Sequence, residues 1–198
     1  LRMLYLWAGA ADAMLAFERE QDQLIASTQR AGVELAIRPI SSLDRVVGHV
    51  FGSEPDVLHM SWGMTPTLEI SLAGQGTRDA DALLDYLALG LRNRTQRPRL
   101  IVLATSHVES LLEPLTELAD LAIGFADAIP DDVARESMLA FYERAFAGAT
   151  IDAALAHARE VADRWIADTG EQLRVHARPE IDTASYVLTA SPVAQQPE

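Results

Sequence analysis

The sequence predicts an α/β domain, a mainly parallel sheet with helices on both faces in three layers, and three observations lead there. Two short runs, Asp56-Val-Leu-His-Met-Ser-Trp62 and Arg99-Leu-Ile-Val-Leu-Ala-Thr-Ser-His107, are largely apolar rather than alternating, as strands buried on both faces read. Strand-like and helix-like stretches alternate over nearly the whole chain, the order that crossover connections turn into a parallel sheet. The 198 residues suffice for one sizeable core and are short for two, and no internal repeat divides them. One domain over 1–189 is expected, with 190–198 a polar, Pro-containing tail or linker.

Met3 to Ala8 is the first apolar strand, closed by Gly9. A helix from about Ala13 to Ala31 sets Leu15, Phe17, Leu24 and Ile25 against Glu18, Arg19, Glu20, Gln21, Asp22 and Gln23, and Gly32 stops it. Val33 to Ile40 alternates as a second strand, and Ser41 or Ser42 caps a short helix over Leu43 to Phe51. Asp56 to Trp62 follows as the third strand. Thr67 to Leu72 alternates Leu68, Ile70 and Leu72 with polar residues, the mark of a short hairpin strand with one wet face. Gly74-Gln-Gly76 links it to a helix over about Arg78 to Arg94; without a third Gly or any Lys it reads as a turn rather than a phosphate loop. After the Arg99 to Thr105 strand come a helix (Val108 to Leu118), a strand (Leu121 to Phe125), a helix capped by Asp131 or Asp132 and reaching Phe146, and a Thr150-capped helix to about Asp168. Leu173 to Ala177 and Ser185 to Thr189 supply one or two terminal strands.

Composition narrows the chemistry. With no cysteine, disulfides, thiolate metal sites and a Cys nucleophile are excluded for this chain. A net charge of -13 opposes binding to nucleic acid, and the one Arg cluster, Arg92, Arg94, Arg97 and Arg99, lies where cations meet the carbonyl end of a helix. No apolar run approaches the roughly 20 residues of a bilayer span, and the start lacks a signal-like pattern, so a cytoplasmic chain trimmed from a longer one is expected.

Open α/β sheets hold their ligands outside the carboxyl ends of the strands. His59, Ser61, Trp62, Thr105, Ser106 and His107 fall at or near the ends of the two apolar strands, and share one region if those strands are neighbours. Each has a plain reading. A His inside an apolar strand commonly makes one structural hydrogen bond, Ser106 can cap the helix from Val108, and Trp62 can pack as a plug. His107 follows Ser106 directly and is expected to point away from it. Asp127, Asp131 and Asp132 could hold a metal or a cationic side chain, but helix capping and a solvated edge account for them, and no metal or cofactor is expected. Phe141, Tyr142 and Phe146 share a helical spacing and read as core.

Asp56-Val-Leu-His-Met-Ser61, Leu100-Ile-Val-Leu-Ala-Thr-Ser-His107, Ala122-Ile-Gly-Phe-Ala-Asp-Ala-Ile-Pro-Asp131, Phe141-Tyr142 and Ile151-Asp-Ala-Ala-Leu-Ala-His-Ala-Arg159 occur in an order that resembles the CHAT branch of the caspase-like fold. The resemblance covers roughly residues 3–189 and implies a caspase-like three-layer domain. In that family the first loop reads His-x-Ser-Gly-His-Gly, its second His being the catalytic base, and the second reads Leu-Asn-Ala-Cys, its Cys being the nucleophile. Here the loops are His59-Met-Ser-Trp-Gly-Met64 and Leu103-Ala-Thr-Ser106, so Gly63 stands at the base position and Ser106 at the nucleophile position. A hydroxyl needs a positioned base more than a thiol does. Losing thiol and base together, with Trp62 inserted, points to a pseudoprotease. The resemblance implies a protein or peptide partner, with Ser61, Trp62, Thr105, Ser106 and Asp127 lining the former cleft, in a bacterial conflict or antiphage system. The rival expectation is a working hydrolase with position 106 as nucleophile, as native Ser or as the replacement of an active Cys, and His59 or His107 as base.

Overall fold

The structure, a computed structural model, describes residues 1–8, 14–62, 67, 69–72, 76–91, 94 and 96–188, with side-chain detail for all of these but 14–17 and 71–78. In chain order it contains β1 (Arg2–Ala8), α1 (Met14–Ala31), β2 (Glu34–Pro39), α2 (Leu43–Ser53), β3 (Val57–Trp62), β4 (Glu69–Leu72), β5 (Gly76–Asp79), α3 (Ala80–Leu91), β6 (Leu100–Leu103), α4 (Glu109–Leu115), β7 (Leu121–Phe125), α5 (Asp131–Phe146), α6 (Ile151–Trp165) and β8 (Leu173–Ala177). Six strands form one sheet in the order β2-β1-β3-β6-β7-β8, every pair parallel except β7 with β8. The three-layer α/β/α class expected from the sequence is the class observed. No helix among the described residues is long and apolar enough to cross a membrane.

Alternation along each strand builds two cores. Met3 and Tyr5 of β1, Val57 of β3, Val102 of β6 and Ile123 of β7 face α1, α5 and α6. Leu4 and Leu6, Leu58 and Met60, and Ile101 and Leu103 face α2, α3 and α4. The central strands β3, β6 and β7 are buried throughout, which is why they read as continuous apolar runs. Each large side chain so buried contributes about 1.5–3 kcal/mol.

Several boundaries differ from the sequence expectation. Gly76 to Asp79 is a strand, not a turn and first helical turn; it pairs antiparallel with β4 and completes a hairpin beside the main sheet. The alternating polar residues Thr77 and Asp79 disguised it as the start of α3. Ser185 to Thr189 forms no strand in its described part: 183–185 is a turn, and Val187 makes one bridge to Thr150. Pro130 occupies the cap position of α5, with Asp131 and Asp132 in its first turn, where carboxylates still favour the helix dipole. Ser42 precedes α2 without a side-chain cap bond, whereas Thr150 caps α6 by accepting from the Ala153 amide at 3.3 Å. Residues 190–198 and the linking Gly74 lie outside the described residues.

Two arginines of the cluster bond carbonyls outside any helix end. Arg99 donates to the carbonyls of Val187 at 2.6 Å and Leu188 at 3.1 Å, fastening the segment after β8 to the base of β6. Arg94 donates to the Pro55 carbonyl, and Arg97 is exposed; Arg92 lies outside the described residues.

Gly124 in the middle of β7 lets α4 lie close on the sheet. A Cβ there would fall 2.3 Å from Val108 Cγ2 and 3.1 Å from the Leu103 carbonyl oxygen. Gly124→Ala is expected to destabilise the fold by about 1–3 kcal/mol through overpacking, read by urea unfolding.

Candidate functional site

β3 carries His59 and Ser61 on the face toward α1 and α5, with Trp62 on the opposite face. Parallel registry sets Tyr5 of β1 beside His59, and Val102 of β6 on its other side. Across the layer, α1 presents Glu20, Leu24, Ser27 and Thr28 at i, i+4, i+7 and i+8, all buried. Glu20 therefore enters the core on the same stripe as Leu24 rather than facing water.

The result is a closed polar cluster. Tyr5 donates its hydroxyl to Glu20 Oε2 at 2.7 Å, and Ser61 Oγ donates to the same oxygen at 3.1 Å. His59 Nε2 lies 3.1 Å from Glu20 Oε1, and Nδ1 lies 2.8 Å from the Tyr142 hydroxyl of α5. Ring contacts enclose the imidazole: Tyr5 meets it edge-on with centroids 5.0 Å apart, and Tyr142 stacks in turn on Phe146 at 5.1 Å.

The ionised carboxylate fixes one proton position. Burial alone would raise the Glu20 carboxyl, but the hydrogen bond and charge of His59 and the hydroxyls of Tyr5 and Ser61 outweigh it and hold the group below its ordinary value. An ionised carboxylate only accepts, so His59 Nε2 carries a hydrogen and donates it, while Nδ1 shares a hydrogen bond with the Tyr142 hydroxyl. Burial, followed by the Glu20 charge, pushes both Tyr5 and Tyr142 well above the ordinary phenol value, so both keep their phenolic protons. Both nitrogens of His59 are thus committed inside the core.

The two loops singled out from the sequence do leave one edge of the sheet. Met60 registers with Leu103, so Trp62 and Ser106 follow from the carboxyl ends of neighbouring strands. Among the described residues, however, Ser106 is hydrogen-bonded to Ile129 and not to a histidine. Ser106 Oγ accepts from the Ile129 amide at 3.1 Å and donates to the Ile129 carbonyl at 3.4 Å, joining the loop after β6 to the loop after β7. It does not cap α4, whose cap position is Val108. His107 has a left-handed backbone, φ 62°, and its Nδ1 approaches exposed Asp127 Oδ1 at 3.6 Å. Ser61 and Thr105 are buried, Ser61 on Glu20. Trp62 is only 4% exposed, packed among the α2, α3 and α4 core, with an indole N–H that lacks a hydrogen-bond partner among the described residues. Gly63, at the expected base position, lies outside the described residues. Among the described residues no three His, Asp or Glu side chains are grouped to hold a metal.

Sequence reading missed Glu20, Tyr5 and the polar role of Tyr142. The stripe spacing of Glu20 with Leu24 was the available signal.

Removing Glu20 leaves His59, Tyr5 and Ser61 without their acceptor. Glu20→Ala is expected to cost about 3–5 kcal/mol and Glu20→Gln about 1–3 kcal/mol, measured by denaturant unfolding. Because folding depresses the Glu20 value, its contribution is complete above the ordinary carboxylate range and is lost as pH falls through the depressed value. The gap between the native chain and Glu20→Gln is therefore full at neutral pH and narrows in acid. No family model matches this chain, and no curated protein matches it.

Proposed function

We propose that this chain is a catalytically inactive caspase-like domain of the CHAT type, acting as an interaction or regulatory module for a cytoplasmic protein or peptide partner. The observation that carries the reading is the commitment of both His59 nitrogens to Glu20 and Tyr142, which leaves the imidazole of β3 unavailable to Ser106. Ser106 is likewise occupied by the Ile129 backbone, and the chain has no thiol to take its place.

Support for the lineage is the arrangement of pieces along the chain. A strand ending in His-x-Ser, a hairpin, a helix, a second strand feeding the Ser106 loop and the Ile-Gly-Phe strand follow one another, with the two loops on adjacent strands. The setting in a bacterial conflict or antiphage system rests on the resemblance alone. Among the described residues, the surface open for contact at this edge includes the loops after β6 and β7, where Asp127 is exposed and His107 partly so; Trp62 acts as the plug beneath.

A fluorophosphonate probe, which labels serines activated by a base, tests the reading. The native chain is expected to label no more than Ser106→Ala, and Ser106→Cys to gain no peptidase activity on a panel of peptide substrates. Labelling at Ser106 that disappears in His107→Ala or His59→Ala, or hydrolysis by Ser106→Cys, would contradict it.

A further inference from the structure

β2 is an edge strand: it pairs with β1 alone, and among the described residues its outer side meets no strand. The Glu34 amide donates to the Leu1 carbonyl and the Ile40 amide to the Trp7 carbonyl, so the even-numbered peptide groups face β1. Strand alternation turns the N–H and C=O groups of Leu35 and Ile37 outward. The Ile37 carbonyl accepts only from the guanidinium of its own neighbour, Arg38, at 2.8 Å, as an outward carbonyl would. Open grooves flank the strand on both faces, one along Ile25, Thr28 and Gln29 of α1, the other along Gly52, Ser53 and Pro55.

We infer that this edge pairs antiparallel with β2 of a second copy of the chain, about a two-fold axis at Ala36, joining the two sheets into one. The occupant follows from self-complementarity. With Ala36 opposite Ala36, Leu35 faces Ile37 of the second copy and Glu34 faces Arg38 of the second copy, each pairing occurring twice. The outward groups of Leu35 and Ile37 then exchange four hydrogen bonds, and the Leu35 and Ile37 side chains meet on the α1 face. Glu34 and Arg38 lie on the other face with Ala36, in pairs that do not exchange backbone bonds and so bring side chains closest, and their charges are opposite. The ladder closes itself at both ends: the Val33 amide is already bonded to the Thr28 carbonyl, and Pro39 has no N–H. An unrelated peptide would need its own sequence to match that pattern; a second copy carries it already.

Sedimentation velocity on the 198-residue chain over loading concentrations from about 1 to about 200 μM tests this. The chain is expected to populate a dimer. Glu34→Arg or Arg38→Glu alone sets like charges opposite each other twice per dimer and is expected to weaken association about tenfold, while the double exchange Glu34→Arg/Arg38→Glu restores it. Ile37→Pro removes an outward amide without touching the bonds to β1 and is expected to abolish the dimer, with circular dichroism confirming an intact fold. A monomer at every concentration, or a dimer indifferent to the single exchanges and to Ile37→Pro, would overturn the inference.

Discussion

A carboxylate taken into a hydrophobic core loses several kcal/mol of hydration, and it stays ionised only where donors replace the water it gave up. Glu20 meets that condition with three: Tyr5 from β1, Ser61 and His59 from β3, with His59 in turn hydrogen-bonded through Nδ1 to Tyr142 of α5. The group therefore ties α1 to two adjacent strands and, through the imidazole, to α5. Each partner is needed by the others, since removing any one leaves a buried donor or acceptor unmet. That mutual dependence makes the cluster a structural pin, and it explains why polar groups are tolerated among Met3, Val57 and Leu24.

The same geometry governs what the carboxyl edge of the sheet can do. A hydroxyl nucleophile needs an imidazole within hydrogen-bond reach and free to take its proton. The imidazole of β3 is turned into the α1 and α5 layer and satisfied there, while Trp62, on the opposite face of the same strand, fills the α2, α3 and α4 layer. Ser106 serves instead to fasten two neighbouring loops through Ile129. Among the described residues of this edge, Ser61, Trp62 and Ser106 are thus held by packing and hydrogen bonds to their own neighbours.

Much of the fold was legible because burial on both faces leaves a plain mark: the strands around Leu58, Ile101 and Ile123 are unbroken apolar runs, and Gly32 and Gly148 end helices with the positive φ their chemistry permits. The strand from Gly76 was hidden because Gly76-Thr-Arg-Asp79 has no apolar side chain to show a period. The site was legible only in part. His59 reads from its strand as a histidine with one structural hydrogen bond; it makes two, to Glu20 and Tyr142, and no local pattern joins positions 20, 59 and 142. Glu20 was read as solvated because charge outweighed its position on the Leu24 stripe; a buried Glu is rare enough that periodicity must be given priority to find it.

Solvent exchange of the His59 ring proton, followed by NMR on the uniformly 15N-labelled chain, tests the central claim most directly. A ring held by Glu20 and Tyr142 inside the core gives a slowly exchanging Nε2 proton, with through-space contacts to Glu20 and Tyr5. Exchange as fast as that of a surface histidine, with contacts to Ser106 in place of Tyr5, would show an imidazole free to act as a base and would contradict the account.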